Sequence, residues 1–147
     1  MTQDADALHA SSGELHSRER ILHDVKALVV DDESDARELL QQVLTGYGAE
    51  VRVAESANAA LRVLKEWQPQ ILLSDISMPE VDGYSFIAQV RQIYDGAMPA
   101  IALTANARLE DRDRALAAGY QSHLTKPVNE SQLILTIAQL VGRKLKG

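Results

Sequence analysis

Five side chains in this 147-residue chain could do chemistry together: Asp31, Asp32, Asp75, Thr104 and Lys126. Asp31 and Asp32 close the apolar run Leu28-Val29-Val30, and Asp75 closes Ile71-Leu72-Leu73-Ser74. Thr104 ends a further apolar run, and Lys126 follows another just before Pro127. Hydrophobic strands ending in carboxylates deliver them to the crevice at the carboxyl edge of a parallel sheet, where ligands bind in open α/β folds. Carboxylates gathered there repel by roughly 4 kcal/mol per pair at about 4 Å and an effective dielectric near 20. A divalent cation makes such a cluster tolerable. Mg2+ suits an oxygen-only set, since it takes one or two carboxylates plus phosphate and keeps several waters. The chemistry suggested is acyl-phosphate formation, with Asp75 attacking a phosphoryl group in line. The cation and Lys126 would neutralise the equatorial oxygens while Thr104 donates a hydrogen bond. Positioning and electrostatics carry such transfer, so no dedicated general base is needed. Alone, each residue reads as a turn, a cap or a solvated surface group. Their joint occurrence in this order carries the argument.

The elements that must position these residues alternate regularly from Lys26 onward. Strands are expected near 27–31, 51–53, 70–74, 99–104 and 121–125, each apolar and short. Ser34 is placed to cap a helix carrying Ala36, Leu39, Leu40, Val43 and Leu44 toward a sheet, and Gly46-Tyr47-Gly48 stops it. Ser56 opens a second helix that buries Ala57, Ala60, Leu61 and Leu64. A third helix, 83–94, faces inward through Phe86, Ile87 and Val90. The fourth, 108–118, has a thin apolar stripe and ends at Gly119. Asn129 caps a fifth through Leu133, Ile134, Ile137, Leu140 and Val141. Five strands alternating with five helices predict an α/β fold, a doubly wound, mostly parallel sheet covered on both faces.

Composition narrows the function classes. An apolar fraction of 46% and a charged fraction of 24% are those of a soluble globular protein. A net charge of −6 argues against general nucleic-acid binding. No apolar stretch approaches the ~20 residues that span a bilayer, and no signal-peptide pattern opens the chain. Cysteine is absent, which excludes disulfides and thiolate metal sites and fits the cytoplasm. Residues 1–25 read as an N-terminal extension, flexible or partly helical, with a short helix over 17–24. Leu8-His9, Leu15-His16 and Leu22-His23 recur every seven residues there. That spacing separates the histidines by about 10 Å along a helix, too far for one metal. Residues 26–143 form the expected domain, and 144–147 a tail in which Lys144 and Lys146 aid solubility.

Four motifs carry a resemblance: Leu28-Val29-Val30-Asp31-Asp32-Glu33, Asp75-Ile76-Ser77-Met78-Pro79 with Asp82-Gly83, Ala102-Leu103-Thr104-Ala105, and Leu124-Thr125-Lys126-Pro127-Val128. With them, residues 26–143 resemble the receiver domain of bacterial two-component response regulators, and look most like receivers associated with hybrid sensor histidine kinases. The resemblance implies a CheY-like, flavodoxin-like sheet in the order 2-1-3-4-5. It makes Asp75 the phosphoacceptor for a phosphoryl group from the phosphohistidine of a sensor histidine kinase, hybrid kinase or phosphotransfer protein. The only reactions catalysed would be the domain's own aspartyl phosphorylation and dephosphorylation. For Mg2+, with Mn2+ as a substitute, Asp32 and Asp75 would be direct ligands, Asp31 would act largely through water, and the Ser77 carbonyl would complete the protein set. Lys126 would pair with Asp75 or its phosphoryl group, and the Lys126-Pro127 bond would be cis.

The same resemblance implies a switch in which Thr104 moves inward on phosphorylation and an aromatic residue three before the lysine follows. This chain has His123 there, where the family usually has Tyr or Phe. Ser77 and Asn106 occupy the positions that tune phosphoryl lifetime, and the small Ala105 leaves the donor a path. The switched surface, within 108–141, would bind a downstream protein or form a phosphorylation-dependent homodimer. The few residues after Val141 are too short for a DNA-binding module, so a stand-alone receiver or phosphorelay element is expected. A haloacid dehalogenase-like phosphatase also uses a strand-end Asp, Mg2+, Thr and Lys. It places its nucleophile before the acidic pair, however, and needs a second Asp where this chain has Ser77. Neither a P-loop nor a G-x-G-x-x-G pattern is present.

Overall fold

Strands β3, Ile71–Asp75, and β4, Ala100–Thr104, are buried at every position. Such strands have no polar face to offer water, so helices must cover both sides. The computed structural model describes residues 21–94, 98–105 and 108–143. The extension up to residue 20, Asn106 and the tail from Lys144 lie outside them. Along the chain follow β1 (Lys26–Val30), α1 (Ser34–Gly46), β2 (Glu50–Ala54), α2 (Ala57–Glu66), β3, α3 (Gly83–Ile93), β4, α4 (Leu109–Ala118), β5 (Ser122–Thr125) and α5 (Glu130–Leu140). All strand pairs are parallel and the order is β2-β1-β3-β4-β5, the flavodoxin-like arrangement expected.

Two apolar layers sandwich the sheet. One packs Leu28, Val30 and Leu72 against α2, α3 and Ala115 of α4. The other packs Val29, Leu73 and Leu103 against Leu40 and Leu44 of α1 and Leu133, Ile134 and Ile137 of α5. The alternation of side chains along each strand splits neighbours between the layers. Caps set where the helices start. Ser56, Asp82 and Asn129 each accept a hydrogen bond from the backbone N–H three residues on, at 3.0, 2.9 and 2.8 Å.

Three local expectations need correction. Ser34 is the first residue of α1 rather than its cap: Glu33 takes that place, with no side-chain capping bond. The Glu33 N–H instead donates to Asp31 Oδ1 at 2.9 Å, so the turn is shaped by the site. Leu39 points outward and is 61% exposed. It lies about 100° around the helix from Leu40, on the edge of the packed stripe. Leu22 and Val25 are fully buried, although they fall in the segment read as an extension. Residues 21–24 form a turn, not a helix, and the Leu22 N–H donates to the Tyr47 carbonyl at 2.9 Å.

Candidate functional site

All four buried polar or charged residues among those described are Asp31, Ser74, Asp75 and Thr104. Each lies at or just past the carboxyl end of β1, β3 or β4, so the sheet brings together groups 73 positions apart in sequence by register alone. Val30 pairs with Ser74 and Asp75 with Leu103, which fixes the acidic residues side by side. One carboxylate oxygen from each of Asp31, Asp32 and Asp75 lies within 4.8 Å of the others. Asp31 and Asp75 are buried, whereas Asp32 is exposed.

Lys126 enters from beyond β5. Its backbone N–H donates to the Thr104 carbonyl at 2.7 Å, and the following Lys126-Pro127 bond is cis. Its Nζ stands 2.9 Å from Asp31 Oδ2 and 3.5 Å from Asp75 Oδ2. The lysine thus bridges both carboxylates and is nearer to Asp31. Both Asp31 oxygens are engaged, one by Lys126 and one by the Glu33 N–H. Asp75 Oδ1 accepts from the Ser77 N–H at 3.2 Å, leaving Oδ2 toward Lys126. Ser77 and Ala105 are both exposed at the rim.

Electrostatics follow from this crowding. Burial pushes the Asp75 carboxyl up to about 6, with the charges of Asp31 and Asp32 adding to it. Lys126 and the Ser77 N–H pull the other way without prevailing. For Lys126, burial lowers its proton affinity, but the Asp31 bond and the charges of Asp31 and Asp75 together raise it above the ordinary range. Three oxygens gathered around too little positive charge are a fitting donor set for a hard divalent cation.

The sheet also places the expected switch pair. Thr104 pairs with Thr125 and Ala102 with His123. In parallel strands that register puts Thr104 and His123 on the same face, one pleat apart. His123 is half-buried, and its Nε2 is enclosed with no hydrogen-bond partner. Burial lowers the imidazole's proton affinity; Asp111 opposes this and Arg112 adds to it. Ser74 and Tyr120 gave no chemical signal in the sequence, yet both are buried with hydroxyls under the site. A tyrosine directly after a helix-ending glycine and before a short strand is the one cue in the sequence.

A family model described as the response regulator receiver domain matches residues 27–138. The chain belongs to that family. A protein of 14.6 kDa from the sodA1 3′ region of Leptolyngbya boryana is 49% identical to it over 113 residues, covering 76% of this chain and 86% of that protein. The sensor histidine kinase RcsC of Salmonella typhi is 37% identical over 123 residues. That match covers 84% of this chain but only 13% of the kinase. Among solved structures, the chemotaxis response regulator CheY4 of Vibrio cholerae matches with a TM-score of 0.75 and 29% identity, covering 80% of this chain and 98% of that one. This receiver is accordingly a signalling domain of two-component systems and not a classical enzyme.

Proposed function

We propose that this receiver takes a phosphoryl group onto Asp75 from the phosphohistidine of a histidine kinase, hybrid kinase or phosphotransfer protein. The observation that supports it most is the meeting of Asp31, Asp32 and Asp75 within 4.8 Å, with the Lys126 ammonium between two of them. In the transfer an Asp75 oxygen bonds to phosphorus as the P–N bond breaks, and the electron pair returns to the donor imidazole. Asp75 is mostly ionised, and so nucleophilic, above its raised pKa of about 6. Asp32, which is exposed, and the buried Asp75 would hold Mg2+ directly, Asp31 through water, and the Ser77 carbonyl would complete the set; Mn2+ would substitute. Bound there, the cation supplies charge neutralisation at the phosphoryl oxygens.

Lys126 neutralises the remaining charge, since a group added at Asp75 Oδ2 meets its ammonium. Thr104, buried beside Asp75, turns toward the added group, and His123 on the same face follows. Ser77 and Asn106 tune how long the phosphoryl group survives, and Ala105 leaves the donor an open approach. A full reversal from 1:99 to 99:1 needs about 5.5 kcal/mol of preference for one state. Charge-assisted hydrogen bonds to a phosphoryl of about −1.5 to −2 charge supply much of it.

The output surface would be that of α4, β5 and α5, where Leu109, Leu116 and Leu135 are exposed. It would take a downstream protein or a second receiver, in the cytoplasm and without direct nucleic-acid contact. Among the described residues, no helix is long and apolar enough to cross a membrane. The test is incubation with Mg2+ and acetyl phosphate, followed by peptide mapping. A phosphoryl adduct on Asp75, absent from Asp75→Asn, is expected. Wild-type labelling of Asp75→Asn would refute the reading.

A further inference from the structure

We infer that Tyr120 is a positioning residue for phosphoryl transfer, its buried hydroxyl fastening the loop that carries Asp75 to the corner between α4 and β5. This rests on the proposed role of Asp75. Tyr120 is 2% exposed and follows Gly119, whose φ of +127° turns the chain out of α4. Its hydroxyl donates to the Gly83 carbonyl at 2.8 Å, across the layer that holds α3. The Ser74 hydroxyl, also buried, donates to the Asp75 carbonyl at 3.1 Å. The phenol therefore grips the first residue of α3, at the far end of the 74–83 segment.

Gly83 has no slack. A Cβ there would sit 2.7 Å from the Asp75 carbonyl oxygen and 2.7 Å from Ile76 Cα. The first turn of α3 is thus pressed directly against the phosphoacceptor backbone. The Gly83 N–H donates to the Ile76 carbonyl at 2.8 Å, and the Ile76 N–H donates to Leu103 on β4 at 2.9 Å. A shift of Gly83 moves Asp75 and Ile76 with it. Through this contact, the tyrosine holds the loop from which Ser77 and Asp75 face the incoming group. Burial also pushes the phenol far above its ordinary pKa, so it remains a donor at every working pH.

The experiment compares full-length wild type, Tyr120→Phe and Ile137→Val, the last removing one methyl group from the opposite layer. Amide hydrogen exchange at Gly83 is followed by NMR, and Asp75 labelling by acetyl phosphate is timed at saturating Mg2+. Tyr120→Phe is expected to speed Gly83 exchange about tenfold and to slow labelling several-fold. Ile137→Val is expected to leave both near wild type. Tyr120→Phe matching wild type in either measurement would overturn the inference, as would Ile137→Val changing both to the same extent. If wild type itself acquires no label on Asp75, the proposed function fails instead.

Discussion

The two ends of the sheet are built on opposite terms. At the amino edge, Leu22 and Val25 plug the bottom of β1, and backbone groups are used up in bonds such as Glu50 N–H to the Val25 carbonyl at 2.8 Å. Arg143 adds a tie there by donating to the His23 carbonyl at 2.6 Å. At the carboxyl edge, the same strands end in two buried carboxylates, a serine and a threonine, served by one lysine. The first arrangement stabilises the fold. The second stores unfavourable negative charge in a donor set that fits a hard divalent cation. Stability and function are therefore separable along the strand axis, and substitutions at each end should show it.

Lys126→Ala should have the largest effect on function. It removes the cation from two buried carboxylates and the partner from the added phosphoryl group. Losing one such donor costs roughly 10²–10³-fold in rate, readable as the time course of acetyl-phosphate labelling. A decrease under threefold would show that Lys126 is only a structural counter-ion. At the other end, Leu22→Ala should cost about 3 kcal/mol of unfolding free energy through the cavity it leaves. Urea titration reads the loss, and labelling of the folded protein should stay near wild type. Slowed labelling there would break the separation between the two ends.

The charge stored at Asp75 gives a pH signature. Its folded pKa, about 6, stands above the unfolded value of 3.8, so the folded state holds its proton more tightly. The stabilisation is complete below about pH 4 and is lost as pH rises through about 6, a difference of up to roughly 3 kcal/mol. Metal-free wild type should lose this increment relative to Asp75→Asn between pH 4 and 7, and Mg2+ should restore most of it at pH 7.5. Parallel stability curves for the two proteins would contradict the burial of that charge. The smallest effect is expected at His123. Its proton affinity is lowered in the fold, so acid below about pH 6.5 should destabilise wild type slightly more than His123→Phe. Replacing the unpartnered Nε2 by an apolar ring should gain about 1 kcal/mol at pH 6. A loss at pH 6 would mean that the imidazole makes a bond that matters.

Much of this plan was legible in the sequence, because strand-end acids and helix caps are local signals. Asp31, Asp32, Asp75, Thr104 and Lys126 stood out by position, and Ser56 and Asn129 capped helices as their types suggest. What stayed hidden depends on partners far along the chain. Leu39 satisfied the helical stripe, yet only the angle at which α1 meets the sheet decides that it faces water. Leu22 and Val25 looked like tail because their burial rests on an apolar layer shared with α1 and α5 and, for Leu22, on a backbone bond to Tyr47. Tyr120 lacked any motif, since its role exists only once Gly83, 37 positions away, is folded against it.

The most direct measurement is a crystal structure grown with Mg2+ and beryllofluoride, a mimic of an acyl phosphate. We expect beryllium bonded to an Asp75 oxygen, Mg2+ among Asp31, Asp32 and Asp75, and the Lys126 ammonium on a fluorine. A cation or fluoride group bound elsewhere, with Asp75 unmodified and Lys126 still held by Asp31, would contradict the account.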